Sequence, residues 1–397
     1  MSKIYAVIFS FVAVSILLSS HYYIWARLVR DTNLPQPVRL LANLTIITLG
    51  VTIPVGFILP HIGLGFTKPL IWASYVWLGI TFLLVVFLID FEFIHLLLKL
   101  IKSIAYLFNN KTVLSSVEKL QSKIVPRVVA IISLSLTFGL CFIGMNNALK
   151  IPKIEHQQIK ISRLPISLSG MRIVQISDLH IGNLVSRSWL EQVVVEVNSL
   201  SPDVIVITGD FVDGSVSALQ NEIAPLAKLK SRLGVYAVTG NHEYYSGVDT
   251  WLEHLSKLGV KMLRNERVTL TMNGAEIELA GIDDAEAARF GDEHGPDLDQ
   301  ALLGYDHKNP IILLAHQPKV ISQAAAAGVD LVLSGHTHGG QIWPWSYIVA
   351  LSQPVLAGWQ MQDKTQIYVS RGTGFWGPPI RINAPSEITE IELIRID

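Results

Sequence analysis

Long apolar runs and short β-branched runs divide the chain into two parts. Four runs are each long enough to cross a bilayer as a helix of about 20 residues. These runs are 4–26, 40–62, 70–92 and 128–148. The first resembles a signal peptide in layout, but its apolar character continues through "YYIWA" without a small-residue cleavage site, which favours an uncleaved helix. The pattern predicts a transmembrane module in 1–149, a linker in 150–170 and a separate domain in 171–397.

Short strand-like runs alternate with amphipathic stretches in the second part. "MRIVQI", "DVIVIT", "GVYAVT", "PIILLA" and "VDLVLS" have the length and β-branched content of buried strands. Stretches such as "SWLEQVVVEVNSL" and "DTWLEHLSKLG" have helical periodicity and lie between strands. This alternation predicts an α/β domain in which helices cover a largely parallel or mixed sheet.

Composition and charge narrow the class of protein. Half of the residues are hydrophobic (50%), and the formal net charge is −1. A nearly neutral chain gives no electrostatic reason to expect nucleic acid as a partner. The sole cysteine, Cys141, excludes an intrachain disulfide. Lysines and arginines are more numerous in the first and third connections between the apolar runs, which predicts a multi-pass cell-membrane protein with its C-terminal domain outside the cytoplasm.

Five strand-like runs are each followed by Asp, Asn or His side chains. Asp178 and His180 follow the first, Asp210 and Asp213 the second, Asn241 and His242 the third, His316 the fourth, and His336 and His338 the fifth. One such residue is commonplace, but five in series are hard to attribute to chance. Ligands of α/β sheets gather at the carboxyl ends of strands, so the series predicts a binding site there.

The residue types indicate metal chemistry. Mixed oxygen and nitrogen ligands without thiolate suit Mn, Fe or Zn rather than a structural zinc site. The set exceeds what one ion with open positions needs, which favours two divalent ions that share a carboxylate. Two ions about 3.5–4 Å apart can hold a hydroxide between them and clamp a phosphoryl group during in-line displacement.

The series also carries a family resemblance. The blocks Asp178-x-His180, Gly209-Asp210-x-x-Asp213, Gly240-Asn241-His242-Glu243, His316 and Gly335-His336-x-His338 resemble the calcineurin-like metallophosphoesterase superfamily. "SGHTHGGQ" and "RGTGFWGPPIRINAPSEITEIEL" further resemble its bacterial membrane-associated branch, typified by YaeI and YkuE. The resemblance covers 171–397 and implies an α/β/β/α sandwich. The four-helix region rests on hydropathy alone.

The resemblance implies a role for each matching residue. One metal would be held by Asp178, His180, Asp210 and His338, and the other by Asp210, Asn241, His316 and His336. Asp210 would bridge the two ions, and a bridging hydroxide would be the nucleophile. His242 would contact a phosphoryl oxygen or protonate the leaving group, oriented by Asp213. The alternative for His242 is a hydrogen bond within its own turn.

The sequence departs from the Ser/Thr phosphatases of this superfamily, which carry arginines after two of these blocks. Gly214 and Tyr244–Tyr245 stand in those places. Without these guanidinium groups a phosphoprotein substrate is disfavoured, and a phosphodiester or pyrophosphate is favoured. Arg371 or Arg381 could supply the charge from elsewhere or form structural ion pairs. We expect a membrane-anchored phosphoesterase whose substrate is a phosphoester, with a cell-envelope lipid or its precursor as one candidate.

Two questions stay open in the sequence. Residues 342–361, which include Trp343 and Trp345, either pack on the core or form an aromatic rim at the membrane surface that guides a lipid-linked substrate. A rival interpretation of the chain is a membrane sensor or transport-linked protein that uses the phosphoesterase fold for binding. Its support is Asp90 and Glu92, for which a position at the membrane interface is the simpler interpretation. The oligomeric state is left open.

Overall fold

The computed structural model describes residues 3–62, 67–120, 124–291 and 293–396. The chain divides into two compact units, Met1–Ile143 and Gly144–Asp397. The N-terminal helices are α1 (Lys3–Trp25, continued by a π-helical turn, Ala26–Arg30), α2 (Gln36–Ile62), α3 (Lys68–Leu107), α4 (Lys111–Leu120) and α5 (Ile124–Leu149). Four of the described helices are long and apolar enough to cross a membrane, which confirms the predicted apolar helices.

Helix α3 is longer than its apolar run predicted. It continues without a break for 40 residues, whereas the run ended at 92. Glu92 therefore lies within a helix rather than at its end. Its carboxylate is 2.6 Å from Arg27 Nε and accepts a hydrogen bond from the Tyr23 hydroxyl at 3.2 Å. The short helix α4 was not predicted, because its amphipathic sequence lacks a long apolar run.

The second unit contains two six-stranded sheets. Its strands are β1 (Lys153–Ile161), β2 (Met171–Ile176), β3 (Val204–Ile207), β4 (Val235–Ala237), β5 (Val260–Met262), β6 (Glu266–Met272), β7 (Ala275–Gly281), β8 (Ile311–Leu314), β9 (Leu331–Ser334), β10 (Gly358–Gln362), β11 (Thr365–Val369) and β12 (Glu387–Arg395). One sheet has the order β1-β12-β2-β3-β4-β5, and the other β10-β11-β9-β8-β7-β6. Both mix parallel and antiparallel pairs.

Strand β1 lies within the segment expected to be a linker, 150–170. It pairs in parallel with β12 from Lys153 opposite Glu387 to Ile161 opposite Arg395. Most of its side chains are exposed or half-exposed, as suits a strand at the edge of a sheet. A polar edge strand has the composition of a linker, and only its pairing with a segment more than 200 residues away makes it a strand.

Three apolar layers hold the unit together. The layer between the sheets includes Ile173, Val206, Leu279, Leu314 and Leu333. The outer face of the first sheet is covered by helices α6 (Arg187–Ser199), α7 (Val216–Ile223) and α9 (Val248–Lys257), and that of the second by α10 (Leu298–Ala301) and α11 (Ile321–Ala326). Two short helices, α8 (Asn241–Ser246) and α12 (Trp345–Val349), lie after β4 and β9 in the chain. Side chains of α6 and α9 pack on the first sheet, and side chains of α11 on the second. The α/β/β/α fold is thereby confirmed.

Candidate metal centre

The candidate ligands lie in loops that follow neighbouring strands. Asp178 and His180 follow β2, Asp210 follows β3, Asn241 begins α8 after β4, His316 follows β8, and His336 and His338 follow β9. Because β3 runs parallel to β2 and β4, and β8 parallel to β9, these loops emerge at common sheet edges. All seven side chains belong to buried or half-buried residues.

Among the described residues, three groups of side chains have ligand atoms within 4.8 Å of one another. The groups are Asp178, His180 and His338; His180, Asp210 and His242; and Asp210, His316 and His336. Asp210 Oδ2 lies 3.2 Å from His316 Nε2 and 3.6 Å from His180 Nε2. The structure thus brings the predicted carboxylate and imidazole ligands together around a shared Asp210.

The histidines present nitrogen atoms to common points. His180 Nδ1 is bonded to Asp213 Oδ1 at 3.0 Å, and His316 Nδ1 to the Thr208 carbonyl at 2.7 Å. Each bond leaves Nε2 for the centre, as carboxylate and carbonyl partners do in metal sites. His180 Nε2 lies 3.1 Å from His338 Nε2, and His316 Nε2 lies 3.2 Å from His336 Nδ1. One cation beside each pair of nitrogen atoms would be coordinated by both atoms of that pair.

Asn241 supplies an independent test of the fit to a metal. Its Oδ1 atom is buried and accepts no hydrogen bond from the described residues. A buried amide oxygen without a donor costs about 1–3 kcal/mol, and a cation beside it would remove that cost. The oxygen and nitrogen atoms present therefore fit divalent metal ions.

The charge states of His336, His338 and Asp210 suit metal binding. Burial lowers the pKa of His336 to about 3, assisted by the charge on His316. Burial lowers the pKa of His338 in the same way, assisted by His180 and Arg381. Neutral imidazole is the form that binds metals. Burial alone would raise the pKa of Asp210, but the charges of His316 and His242 outweigh it and hold that pKa well below its usual range.

Asp213 contacts two histidines at once. Its Oδ1 atom is 2.6 Å from His242 Nδ1 and 3.0 Å from His180 Nδ1. Burial lowers the pKa of His242, but the carboxylates of Asp210 and Asp213 outweigh burial and raise it to about 9. Because Asp213 takes the Nδ1–H group, a protonated His242 can donate the proton on Nε2. The bond from Asp213 to His180 was not predicted.

Five candidate ligands have left-handed backbone conformations. They are Asp178 (φ 54°), His180 (47°), Asp210 (55°), His336 (68°) and His338 (50°). Residues other than glycine seldom adopt this region, and such strain concentrates at functional sites. Hydrogen bonds hold these loops: Asp178 accepts from the His336 amide at 3.0 Å, and the Asp210 carbonyl accepts from the His180 amide at 3.1 Å.

Glu243 holds the Asp210 loop, a role that the motif did not indicate. Its buried carboxylate accepts the backbone N–H groups of Gly240 (2.7 Å), Phe211 (2.8 Å) and Asp210 (3.0 Å). Burial and the charge of Asp210 raise the pKa of Glu243 to about 7. These three hydrogen bonds from backbone N–H groups fix the backbone on both sides of Asp210, the candidate bridging ligand.

One aspartate at a strand end, Asp284, was not predicted. Asp284 follows β7 in "GIDD", where the rule applied to the other strands would have found it. The side chain is buried and accepts hydrogen bonds from Gln317 Nε2 (3.1 and 3.2 Å) and the Glu286 amide (2.8 Å). Gln317 is adjacent to His316, so Asp284 supports a ligand loop.

The two arginines that could have supplied charge are engaged in the fold. Arg371 pairs with Glu155 (3.0 Å) and Glu387 (2.6 Å). Arg381 is fully buried and donates to the carbonyls of Ala384 (2.8 Å) and Gly374 (3.0 Å). Its Nη2 atom also lies 3.1 Å from His338 Nδ1. Arg381 therefore supports the loop of a candidate ligand from behind rather than facing a substrate.

The fold and the clustered ligands define a metal-binding α/β domain joined to apolar helices, and comparison with known proteins identifies its family. The family model for calcineurin-like phosphoesterases matches residues 171–340. A metallophosphoesterase from Aquifex aeolicus is 34% identical over 61% of this chain and 91% of its own length. YkuE from Bacillus subtilis is 33% identical over 59% of this chain and 83% of its own length. The chain belongs to the calcineurin-like phosphoesterase family.

The similarity extends to membrane proteins of animals. A transmembrane protein with a metallophosphoesterase domain from Danio rerio is 43% identical over 66% of this chain. The match spans 62% of that relative's length. Together with the four apolar helices, it indicates a membrane protein. Among solved structures, a dimetal phosphatase from Danio rerio is 15% identical over 57% of this chain and 93% of that chain, with a TM-score of 0.39.

Substitution of Gly335 tests whether close packing positions the candidate ligand Asp178. A Cβ atom there would overlap Ser177 Oγ and Asp178 Oδ2. We expect Gly335→Ala to displace Asp178 and weaken metal binding by about 10–100-fold, as disturbing a ligand's surroundings does. Mn²⁺ titration of the full-length protein in detergent measures this. The control is Gly139→Ala, where no described atom lies within 4 Å of the added Cβ. Metal binding that Gly335→Ala leaves unchanged would contradict the proposed role of Asp178.

Proposed function

We propose that the chain is a membrane-anchored phosphoesterase with two divalent metal ions that hydrolyses a phosphodiester or pyrophosphate bond. The observation that supports this most strongly is the position of Asp210 between two ligand groups. His180 lies on one side of its carboxylate and His316 on the other. A carboxylate shared by two ligand groups would hold two ions close together, as a two-metal phosphoryl-transfer site needs.

The proposed metal ligands follow the two groups around Asp210. One ion would be held by Asp178, His180, Asp210 and His338, and the other by Asp210, Asn241, His316 and His336. When bound, such ions, Mn, Fe or Zn, activate water and neutralise charge on the phosphoryl group.

His242 is the proposed proton donor. Asp213 accepts from its Nδ1 atom at 2.6 Å, which fixes the ring and leaves the Nε2–H group for the leaving oxygen. One ring nitrogen of His242 lies within 4.8 Å of ligand atoms of His180 and Asp210, so the ring is beside the proposed reacting centre. The carboxylate of Asp213 also favours the protonated ring. This geometry supports donation to the substrate over a hydrogen bond confined to the turn.

The surroundings of His242 favour a diester or pyrophosphate over a phosphomonoester. The Tyr245 ring lies 5.2 Å and the Trp376 ring 6.2 Å from the His242 ring, measured between centroids. Both aromatic side chains are more than half exposed. Tyr245 occupies a place where related phosphatases carry an arginine. An aromatic rim accommodates a substituted leaving group better than a dianionic monoester, which guanidinium groups would stabilise.

Diester hydrolysis is the first test. Full-length protein in detergent and Mn²⁺ should hydrolyse bis-p-nitrophenyl phosphate faster than p-nitrophenyl phosphate, because the second ester carries more charge. Chelation of the metal or Asp210→Asn should reduce turnover to background, and Asp249→Asn, an exposed aspartate of α9, should not. Faster turnover of the monoester would overturn the substrate class. Retained turnover in Asp210→Asn would overturn the metal assignment.

The leaving group tests His242. His242→Ala should lower kcat by about 10²–10⁴-fold, the usual contribution of a positioned proton donor. The loss should be larger for a phenyl diester than for a p-nitrophenyl diester, because phenolate is the poorer leaving group. Kinetics with both diesters measure the ratio. Equal losses would indicate that His242 contacts the phosphoryl oxygen instead.

We also propose that the catalytic domain lies outside the cytoplasm, because positive residues favour the opposite side. Leu303 is 71% exposed and offers a position for labelling. In a Cys141→Ser background, Leu303→Cys should react with a membrane-impermeant maleimide in intact cells. Labelling that occurs only after the cells are permeabilised would reverse the proposed orientation.

The rival sensor or transport function has weaker support. One of the two carboxylates that suggested it, Glu92, is matched by Arg27 and Tyr23. A paired carboxylate at this position is explained by helix packing alone. A binding module would also have no need for the Asp213–His242 pair.

A further inference from the structure

An exposed apolar surface follows directly after the ligand loop. It consists of Trp345, Tyr347, Ile348 and Leu351, with exposed fractions of 44%, 69%, 51% and 87%. We call these four residues the α12 face. Neighbouring residues Ile342 and Val355 are buried, so the segment packs on the core at both ends and turns its middle outward. Four exposed apolar side chains within seven residues of sequence are typical of an interaction surface.

The chemistry of the segment favours lipid over a protein partner. Residues 342–361 contain no charged side chain. A protein interface has a polar rim, whereas tryptophan and tyrosine beside aliphatic side chains are typical of the boundary between lipid headgroups and acyl chains. The domain is also joined closely to a membrane-length helix, because α5 ends at Leu149 and β1 begins at Lys153. Three residues, 150–152, separate the last membrane-length helix from the first strand.

The α12 face is attached rigidly to the centre. Gly340, two residues after His338, packs directly on the backbone of Ser346, and a Cβ at Gly340 would overlap it. The Thr337 hydroxyl donates to the Leu356 carbonyl at 2.6 Å, which ties the end of the segment to the ligand loop. Contacts with a membrane at α12 would therefore be made a few residues from His336 and His338.

The same loop also positions Trp376, an aromatic side chain beside His242. Gln341 Nε2 donates to the Trp376 carbonyl at 2.7 Å, and Gln341 Oε1 accepts from the Trp376 amide at 2.9 Å. A buried glutamine that satisfies both backbone groups fixes an exposed tryptophan next to the proposed proton donor. One loop thus positions two metal ligands, Trp376 and the α12 face.

We infer that the α12 face docks into the interfacial layer of a lipid bilayer, so that the site acts on phosphodiesters or pyrophosphates of membrane lipids. This inference rests on the hydrolytic function proposed above. The partner is the lipid surface, and the substrate class is an amphiphile whose phosphoryl group lies at headgroup depth. Trp376 would contact the apolar part of the substrate nearest His242.

Depth-dependent quenching tests the docking without reference to activity. Leu351→Cys and Leu303→Cys, each in a Cys141→Ser background, would carry an environment-sensitive fluorophore on the full chain. The proteins would be placed, one copy per disc, in nanodiscs of phosphatidylcholine and phosphatidylglycerol. Lipids with a nitroxide near the headgroup should quench the label at 351 and not the equally apolar control at 303. Unquenched label at 351 would overturn the inference, as would a blue shift without quenching, which indicates protein contact.

Kinetics test the consequence for substrate. Leu351→Glu should lower kcat/KM for hexadecyl p-nitrophenyl phosphate in the disc by about tenfold, the scale of losing one well-buried leucine. The soluble bis-p-nitrophenyl phosphate, which has the same leaving group, should be hydrolysed at the wild-type rate. Leu303→Glu should alter neither rate. An equal loss on both substrates would indicate a structural effect and overturn the inference.

The two proposals can fail separately. If the wild-type chain hydrolyses neither ester, the proposed function fails, and quenching still decides whether the α12 face meets lipid. If both esters are hydrolysed and the label at 351 is not quenched, the function stands and the docking fails.

Discussion

A buried carboxylate that faces histidines on both sides is the constraint on which this domain depends. Asp210 lies between His180 and His316, and burial of its charge would be costly without those neighbours. The compensation comes from loops of both sheets, so the two sheets must pack in one register for the centre to exist. Glu243 then holds the backbone around Asp210, which leaves the carboxylate little freedom to turn away.

Steric fit explains the glycines of the motifs. The Asp210 loop packs on Gly240 and the Asp178 loop on Gly335, and neither glycine has room for a Cβ atom. The ligand loops are stacked on one another at backbone distance, so their side chains converge over a short range. The cost of this convergence is visible in the left-handed conformations of five candidate ligands.

Side chains around the candidate metal centre become less polar with distance from it. The inner groups are carboxylates and imidazoles with Arg381 behind them, and the outer groups beside His242 are Tyr245 and Trp376. Carboxylates and imidazoles suit cations, and the proposed metal ions would in turn stabilise an anionic phosphoryl group. An aromatic rim instead suits an uncharged substituent. This division is the physical basis for the proposed substituted phosphoester substrate, in a protein whose described residues include four membrane-length helices.

The sequence by itself determined what local pattern and residue type can encode. Hydropathy marked the four apolar helices, and Asp, Asn and His after each strand marked the candidate ligands. Tertiary structure decided the rest, because it depends on partners distant in the chain. β1 became a strand by pairing with β12, Asp213 acquired His180 as well as His242, and Asp284 came to support Gln317. The left-handed backbones and the roles of Glu243 and Arg381 likewise arise from contacts between loops, which a linear pattern does not contain.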